Sequence, residues 1–111
     1  MYELRVYAEA IRLVELSVAV RERIGRRNKA LANQLERCAQ SVALNIAEGE
    51  WRSGGHARER FETAMGSARE TKACFDVAVA MRIVAKDEVD EAWRLADGIC
   101  AQLWRMTRGR R

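Results

Sequence analysis

Residues Gln34 to Gly49, QLERCAQSVALNIAEG, decide the fold. At about 100° per residue, Leu35, Cys38, Val42 and Ile46 share one stripe, the period of an amphipathic helix and not of a strand. The same stretch carries Ser41, Asn45 and Glu48 beside that stripe. Polar groups next to a packed face need partners. The helix is therefore expected to hold these side chains in a fixed arrangement that the fold, an assembly or a ligand must satisfy.

Outward from this stretch the helical period continues in both directions. The chain has no proline, and glycines at Gly25, Gly49, Gly54 and Gly55 fall where helices would stop. The apolar period predicts four helices, over 3–24, 28–51, 56–83 and 87–107, joined by connections short enough to make neighbours antiparallel. Asn28 is the expected N-cap of the second helix. Asp87, followed by Asp90, is the expected start of the fourth, where acids favour the helix dipole. A helix of about 22 residues spans roughly 33 Å, so four of matched length close an all-α, up-down-up-down bundle.

The other stripes agree with that closure. The third helix gathers Ala57, Phe61, Ala64, Met65, Ala68, Phe75 and Val79, and the fourth gathers Val89, Trp93, Ala96, Cys100, Leu103 and Trp104. These read as core faces first, because a Met or aromatic stripe at helical spacing is usually packing. The first helix differs. Val6, Leu13, Val20 and Ile24 form one line, while Tyr7, Ile11, Val14 and Val18 extend the apolar surface over an arc of about 200°, wider than one bundle core needs. The surplus predicts self-association. Trp93 and Trp104, beside Asp97, are a second candidate surface between subunits, with nucleic-acid stacking as the sharper alternative.

At 111 residues and 49% hydrophobic content the chain fits one domain with a real core. Glu3, Arg5, Glu9 and Arg12 interrupt the opening segment, and no run of about 18 uncharged apolar residues occurs. The expectation is a cytoplasmic protein with no membrane span. Cys38, Cys74 and Cys100 lie far apart, without the short paired spacings of zinc, iron-sulfur or haem sites. They are expected to be reduced, structural thiols, and no metal or cofactor is expected.

Net charge is +4, and the basic residues are overwhelmingly arginine, whose planar fork suits phosphate and carboxylate. Two clusters exceed a solvated background. Arg21, Arg23, Arg26, Arg27 and Lys29 crowd the first connection. Arg105, Arg108, Arg110 and Arg111 close the chain, at the end of the bundle where the second connection adds Arg52, His56 and Arg58. These are the candidate nucleic-acid-binding residues, repeated if subunits form a ring; the plain alternative is solubility plus contact with an acidic protein. Catalysis finds little support. The single histidine, His56, has no Glu three positions before it, and no phosphate loop, nucleophile elbow or metalloprotease helix is present. Glu48 has a simpler use than acid–base work, since Arg52 lies one turn on and Arg60 should be near across the turn.

Gln34, Leu35, Arg37, Ser41, Asn45, Ile46, Ala47, Glu48 and Gly49, with Arg52, Arg60, Phe61, Ala64, Gly66, Ser67 and Glu70, together resemble the signature of the four-helix bundle proteins encoded in intervening sequences of bacterial 23S ribosomal RNA genes. The same fold occurs in the accessory variability determinant of diversity-generating retroelements. The resemblance spans nearly the whole chain, and its specific part runs from Gln34 to Glu70. It implies a non-enzymatic cytosolic protein that assembles as a homo-oligomeric ring of five basic subunits. The implied partner is RNA or DNA, or a nucleic-acid enzyme such as a reverse transcriptase for which the protein serves as an adaptor.

This sequence departs from the family pattern at Gly54, Gly55 and Ala57, so Ser53 is the expected cap of the third helix. Within the motif, Ser41, Asn45, Glu48, Gly49, Arg60, Phe61, Gly66 and Ser67 are expected to be structural. Asn45 should bond the backbone at the start of the third helix, Glu48 should bridge arginines, and Gly66 and Ser67 should allow close helix approach.

Overall fold

The structure, a computed structural model, describes residues 2–108, with side chains from Arg5 onward; Arg110 and Arg111 lie outside the described residues. Four helices follow one another: α1 (Tyr2–Gly25), α2 (Lys29–Glu50), α3 (Gly54–Ala80) and α4 (Lys86–Arg108). Each packs on its chain neighbours, and α1 also packs on α4, which closes the cycle of an antiparallel bundle. Pairs such as Arg21 with Glu36, Lys72 with Asp97 and Arg12 with Glu91 fix the antiparallel register.

The core is built from the expected stripes. Leu35, Val42 and Ile46 of α2 meet Leu13 and Ile24 of α1, Phe75 and Ala68 of α3, and Ile99 and Leu103 of α4, all in one buried cluster. In α3 Phe61, Ala64 and Met65 are also buried, with Ala57 and Val79 only half so; in α4 Trp93 is half-buried and Trp104 is 50% exposed. All three thiols are buried and unbridged. Cys38 and Cys74 lie with their sulfurs 3.9 Å apart across the α2–α3 seam, and Thr71 Oγ1 donates to Cys38 Sγ at 3.3 Å. These bonds hold the Cys38 thiol below its usual range, while its bond to Cys38 and burial push Cys74 up.

The helix ends show where local chemistry departs from the expected boundaries. Asn28 caps α2, accepting from the Leu31 N–H at 3.0 Å. Ser53 occupies the N-cap position of α3 without a side-chain cap bond, and Gly54 adopts φ +58°, the left-handed conformation glycine takes at no steric cost. α3 ends at Ala80 and not at 83. The Ile83 N–H bonds back to the Ala78 carbonyl and the Arg82 N–H to the Val79 carbonyl, and this turns Ile83 and Val84 inward to close the core. Asp87 is not the cap of α4. That helix starts one residue earlier, with Glu88 accepting from the Ala85 N–H at 2.6 Å, so Asp87 lies in the first turn.

Candidate functional site

The polar motif forms the seam between α2 and α3. Ser41 and Ser67 exchange a hydroxyl hydrogen bond at 2.8 Å, and Asn45 Nδ2 donates to both the Ser41 carbonyl (2.9 Å) and the Ser41 hydroxyl (3.0 Å). Asn45 Oδ1 in turn accepts from Arg60 Nη1 at 3.3 Å. The expected bond from Asn45 to the α3 backbone is therefore replaced by one to an α3 side chain, because the Asn45 amide is already spent on its own preceding turn. Further along the seam, Gln34 donates to Glu70 at 2.8 Å.

Glu48 accepts twice from Arg52, at 3.1 and 2.5 Å. The Arg52 bond, its charge and that of Arg60 hold the Glu48 carboxyl below its usual range. Glu48 thus grips one arginine and feels a second, which binds Asn45 instead of completing the expected bridge.

Two glycines of the motif behave in opposite ways. Gly49 is buried, and a Cβ built there would come within 2.6 Å of Phe61 Cε1, so the Phe61 ring lies directly on the α2 backbone. Gly66 is exposed, and a Cβ there would meet nothing within 4 Å. The expectation that Gly66 serves close helix approach is wrong; Ser67 is explained by its bond to Ser41. Asn45→Ala removes the links to Ser41 and Arg60. It should lower stability by about 1 kcal/mol, or about 4 °C in melting temperature, with nucleic-acid affinity unchanged. Lost affinity at an unchanged melting temperature, read by fluorescence anisotropy beside the melt, would instead make Asn45 a ligand-contacting residue.

The basic residues gather at the two ends. At the first, Arg21 pairs with Glu36 at 3.0 Å and Arg23 pairs with Glu88. Arg27 Nη1 donates to the Arg82 carbonyl at 3.2 Å. Arg26 and Lys29 are exposed and make no ion pair among the described residues. At the opposite end, Arg52 is taken by Glu48, and Arg58 lies 3.8 Å from Glu62. His56 is exposed nearby, and Arg105 and Arg108 occupy the last turn of α4. Arg52 and Arg58 are thus neutralised locally, while Arg105 and Arg108 are exposed and make no ion pair among the described residues. The first end also contains Arg82, which the sequence reading passed over because it stands alone between apolar residues.

Along the side of the bundle the surplus apolar surface is real but differently composed. Tyr7 and Val14 of α1 pack partly into the core, while Ile11 is 38% and Val18 51% exposed. The outward face of α2 adds Leu44 at 65%, and Trp51, the residue that ends the helix, is 88% exposed. Neither drew notice in the sequence, since each interrupts a polar face singly.

Between α3 and α4 runs a groove of about 390 Å³ with Val79, Val89 and Trp93 as its apolar lining and Asp76, Lys86, Asp90 and Arg94 as its charged lining. Lys86 and Arg94 are both turned to Asp90. Trp93 lies under the Lys72 ammonium, 5.0 Å from the ring centroid. Among the described residues no cluster of His, Cys, Asp or Glu is placed to hold a metal, and no helix is long and apolar enough to cross a membrane.

Comparison with known proteins bears on this arrangement. The family model for the 23S rRNA-intervening sequence protein matches residues 2–105. Among solved structures, the chain is similar to a protein of unknown function from the S23 ribosomal protein family of Bacteroides thetaiotaomicron. The TM-score is 0.88 at 15% identity, over 97% of this chain and 99% of that one. At that identity the likeness carries the fold alone. No curated protein matches the chain.

Proposed function

The chain belongs to the 23S rRNA-intervening sequence protein family, and from that premise we propose that it is a non-enzymatic, cytoplasmic, homo-oligomeric bundle that associates with nucleic acid, RNA above all. One observation carries this reading: the cations collect at the two ends of the bundle, while the unburied apolar side chains Ile11 and Val18 of α1 and Leu44 of α2 lie along its length. Copies joined side by side bury the apolar face and repeat each basic end around the assembly, five times in the ring that the family resemblance suggests. A charge of +4 per chain then becomes a field that neutralises several phosphates.

Light scattering after size exclusion, with and without a mixed single-stranded RNA pool, tests both halves. The expected free mass is a multiple of 12.6 kDa. RNA should co-elute at about 50 mM salt and be lost by about 200 mM, with affinity falling roughly a thousandfold between them if six or more phosphates are engaged. A strictly monomeric protein that ignores RNA at low salt overturns the proposal.

A second reading is favoured by Trp51. An indole 88% exposed at the end of α2 is a natural anchor for another protein. On that reading the chain is an adaptor for a nucleic-acid enzyme such as a reverse transcriptase, and assembly persists with little affinity for free RNA.

A further inference from the structure

We infer that the end of the bundle where the two connections meet, with Arg26, Arg27 and Lys29 on one and Arg82 on the other, is a binding surface for a phosphodiester backbone. This rests on the reading of the protein as nucleic-acid associated, and it specifies which end makes the contact.

Arg82 has φ +61°, and the bonds from Ile83 N–H to the Ala78 carbonyl and from Arg82 N–H to the Val79 carbonyl form the six-to-one and five-to-two closure of a Schellman turn. The residue at this position must be left-handed. Glycine takes that conformation freely, whereas a side chain with a Cβ is strained in it. The turn itself gains nothing from arginine. Nor does a carboxylate explain it, since the Arg82 side chain makes no ion pair among the described residues. A strained backbone position that keeps a long exposed cation is one whose side chain has a use outside the fold.

Its surroundings indicate the ligand. Arg27 donates to the Arg82 carbonyl at 3.2 Å and Asn28 lies 3.9 Å from Met81 Sδ, so the two connections are pinned against each other and their cations share one end. Arg21 and Arg23 are neutralised by Glu36 and Glu88, and Glu88 is further occupied by the Ala85 N–H. Glu22, Asp76, Asp87 and Asp90 are the other acids near this end, and Asp90 is shared by Lys86 and Arg94. The first turn of α2 contains Lys29 and no acid, and beyond the Leu31 N–H taken by Asn28 its remaining amides favour an anion. Separate guanidinium groups spread over one end suit a chain of repeated phosphates better than a single carboxylate.

Arg82→Gly separates this role from a structural one, because the two predict opposite signs. Relief of the left-handed strain should raise the melting temperature by about 4 °C, while the slope of log affinity for a mixed single-stranded RNA pool against log salt falls by about 1. Arg82→Asn, which tolerates the left-handed conformation, should reproduce the loss in slope. Arg26→Ala/Lys29→Ala/Arg82→Gly together should lower it by about 2. The comparison is Arg105→Ala/Arg108→Ala at the other end.

If that pair removes the slope and the Arg82 variants leave it intact, the protein binds RNA elsewhere and this inference fails while the functional reading stands. If wild-type protein shows no RNA retention at low salt but binds an acidic protein, both fail together.

Discussion

Gly49→Val is expected to lower the melting temperature by about 12 °C, the equivalent of about 3 kcal/mol. A Cβ alone at this position would stand 2.6, 2.9 and 3.0 Å from three carbons of the Phe61 ring, well inside van der Waals contact. The ring is 9% exposed and hemmed in at the α2–α3 seam, so relief requires the helices to part, and parting them breaks the Ser41–Ser67 and Asn45–Arg60 bonds that lie on the same seam. A β-branched residue adds two methyls to that clash. In a solvated helix the same substitution would be slightly favourable, because glycine is the poorer helix former by up to about 1 kcal/mol. Pairing it with Phe61→Leu should recover part of the loss, and a double-mutant cycle by thermal melts measures the coupling. A variant melting within about 2 °C of the wild type would show that the ring swings away freely and that Gly49 has no packing role.

On the proposed side-by-side assembly, Leu44→Asp has the second large effect, and it acts on the joining of copies. Leu44 points away from its own core, 65% exposed, so a single bundle tolerates the change with unaltered helicity by circular dichroism. In an interface the substitution forfeits about 2 kcal/mol of apolar burial and strands a carboxylate against an apolar neighbour. A total of about 4 kcal/mol weakens association roughly a thousandfold. Light scattering at micromolar concentration should then give the mass of one chain, and RNA retention at a given salt should fall with it, because separated ends present fewer cations to one strand. An assembly that survives Leu44→Asp but dissociates with Val77→Asp, on the exposed face of α3, would place the contact on a different side of the bundle. Retention of RNA by a monomeric Leu44→Asp variant would detach nucleic-acid binding from assembly.

Much of the fold was legible in the sequence because helices are local. Each core stripe follows from a spacing of three and four residues, and Asn28 announces the start of α2 by its own chemistry. The site was less legible, for reasons visible residue by residue. Gly49 and Gly66 are the same residue type within one motif, yet one lies beneath an aromatic ring and the other faces open space; only the partner helix distinguishes them. Ser67 looked like a small packing residue until Ser41 was found across the seam. Arg58 counted as a free cation until Glu62, one turn away, was seen to hold it, whereas the spacing of Glu48 and Arg52 already announced their pair. Arg82 gave no signal, since a left-handed φ leaves no mark when arginine and not glycine occupies the turn.

The sequence by itself determined that this chain is a bundle of four amphipathic helices with buried, unbridged thiols, with more apolar surface on α1 than one core requires and with its arginines concentrated near helix ends. Periodicity and composition suffice for such statements because backbone hydrogen bonding and side-chain spacing within a helix depend on neighbours in the chain. The tertiary structure alone decided which polar residues bond to each other, which glycine is a contact, which arginines are already neutralised and which two connections share an end. Those outcomes depend on the register between antiparallel helices, where a shift of one residue turns each side chain by about 100° and exchanges every partner across the seam.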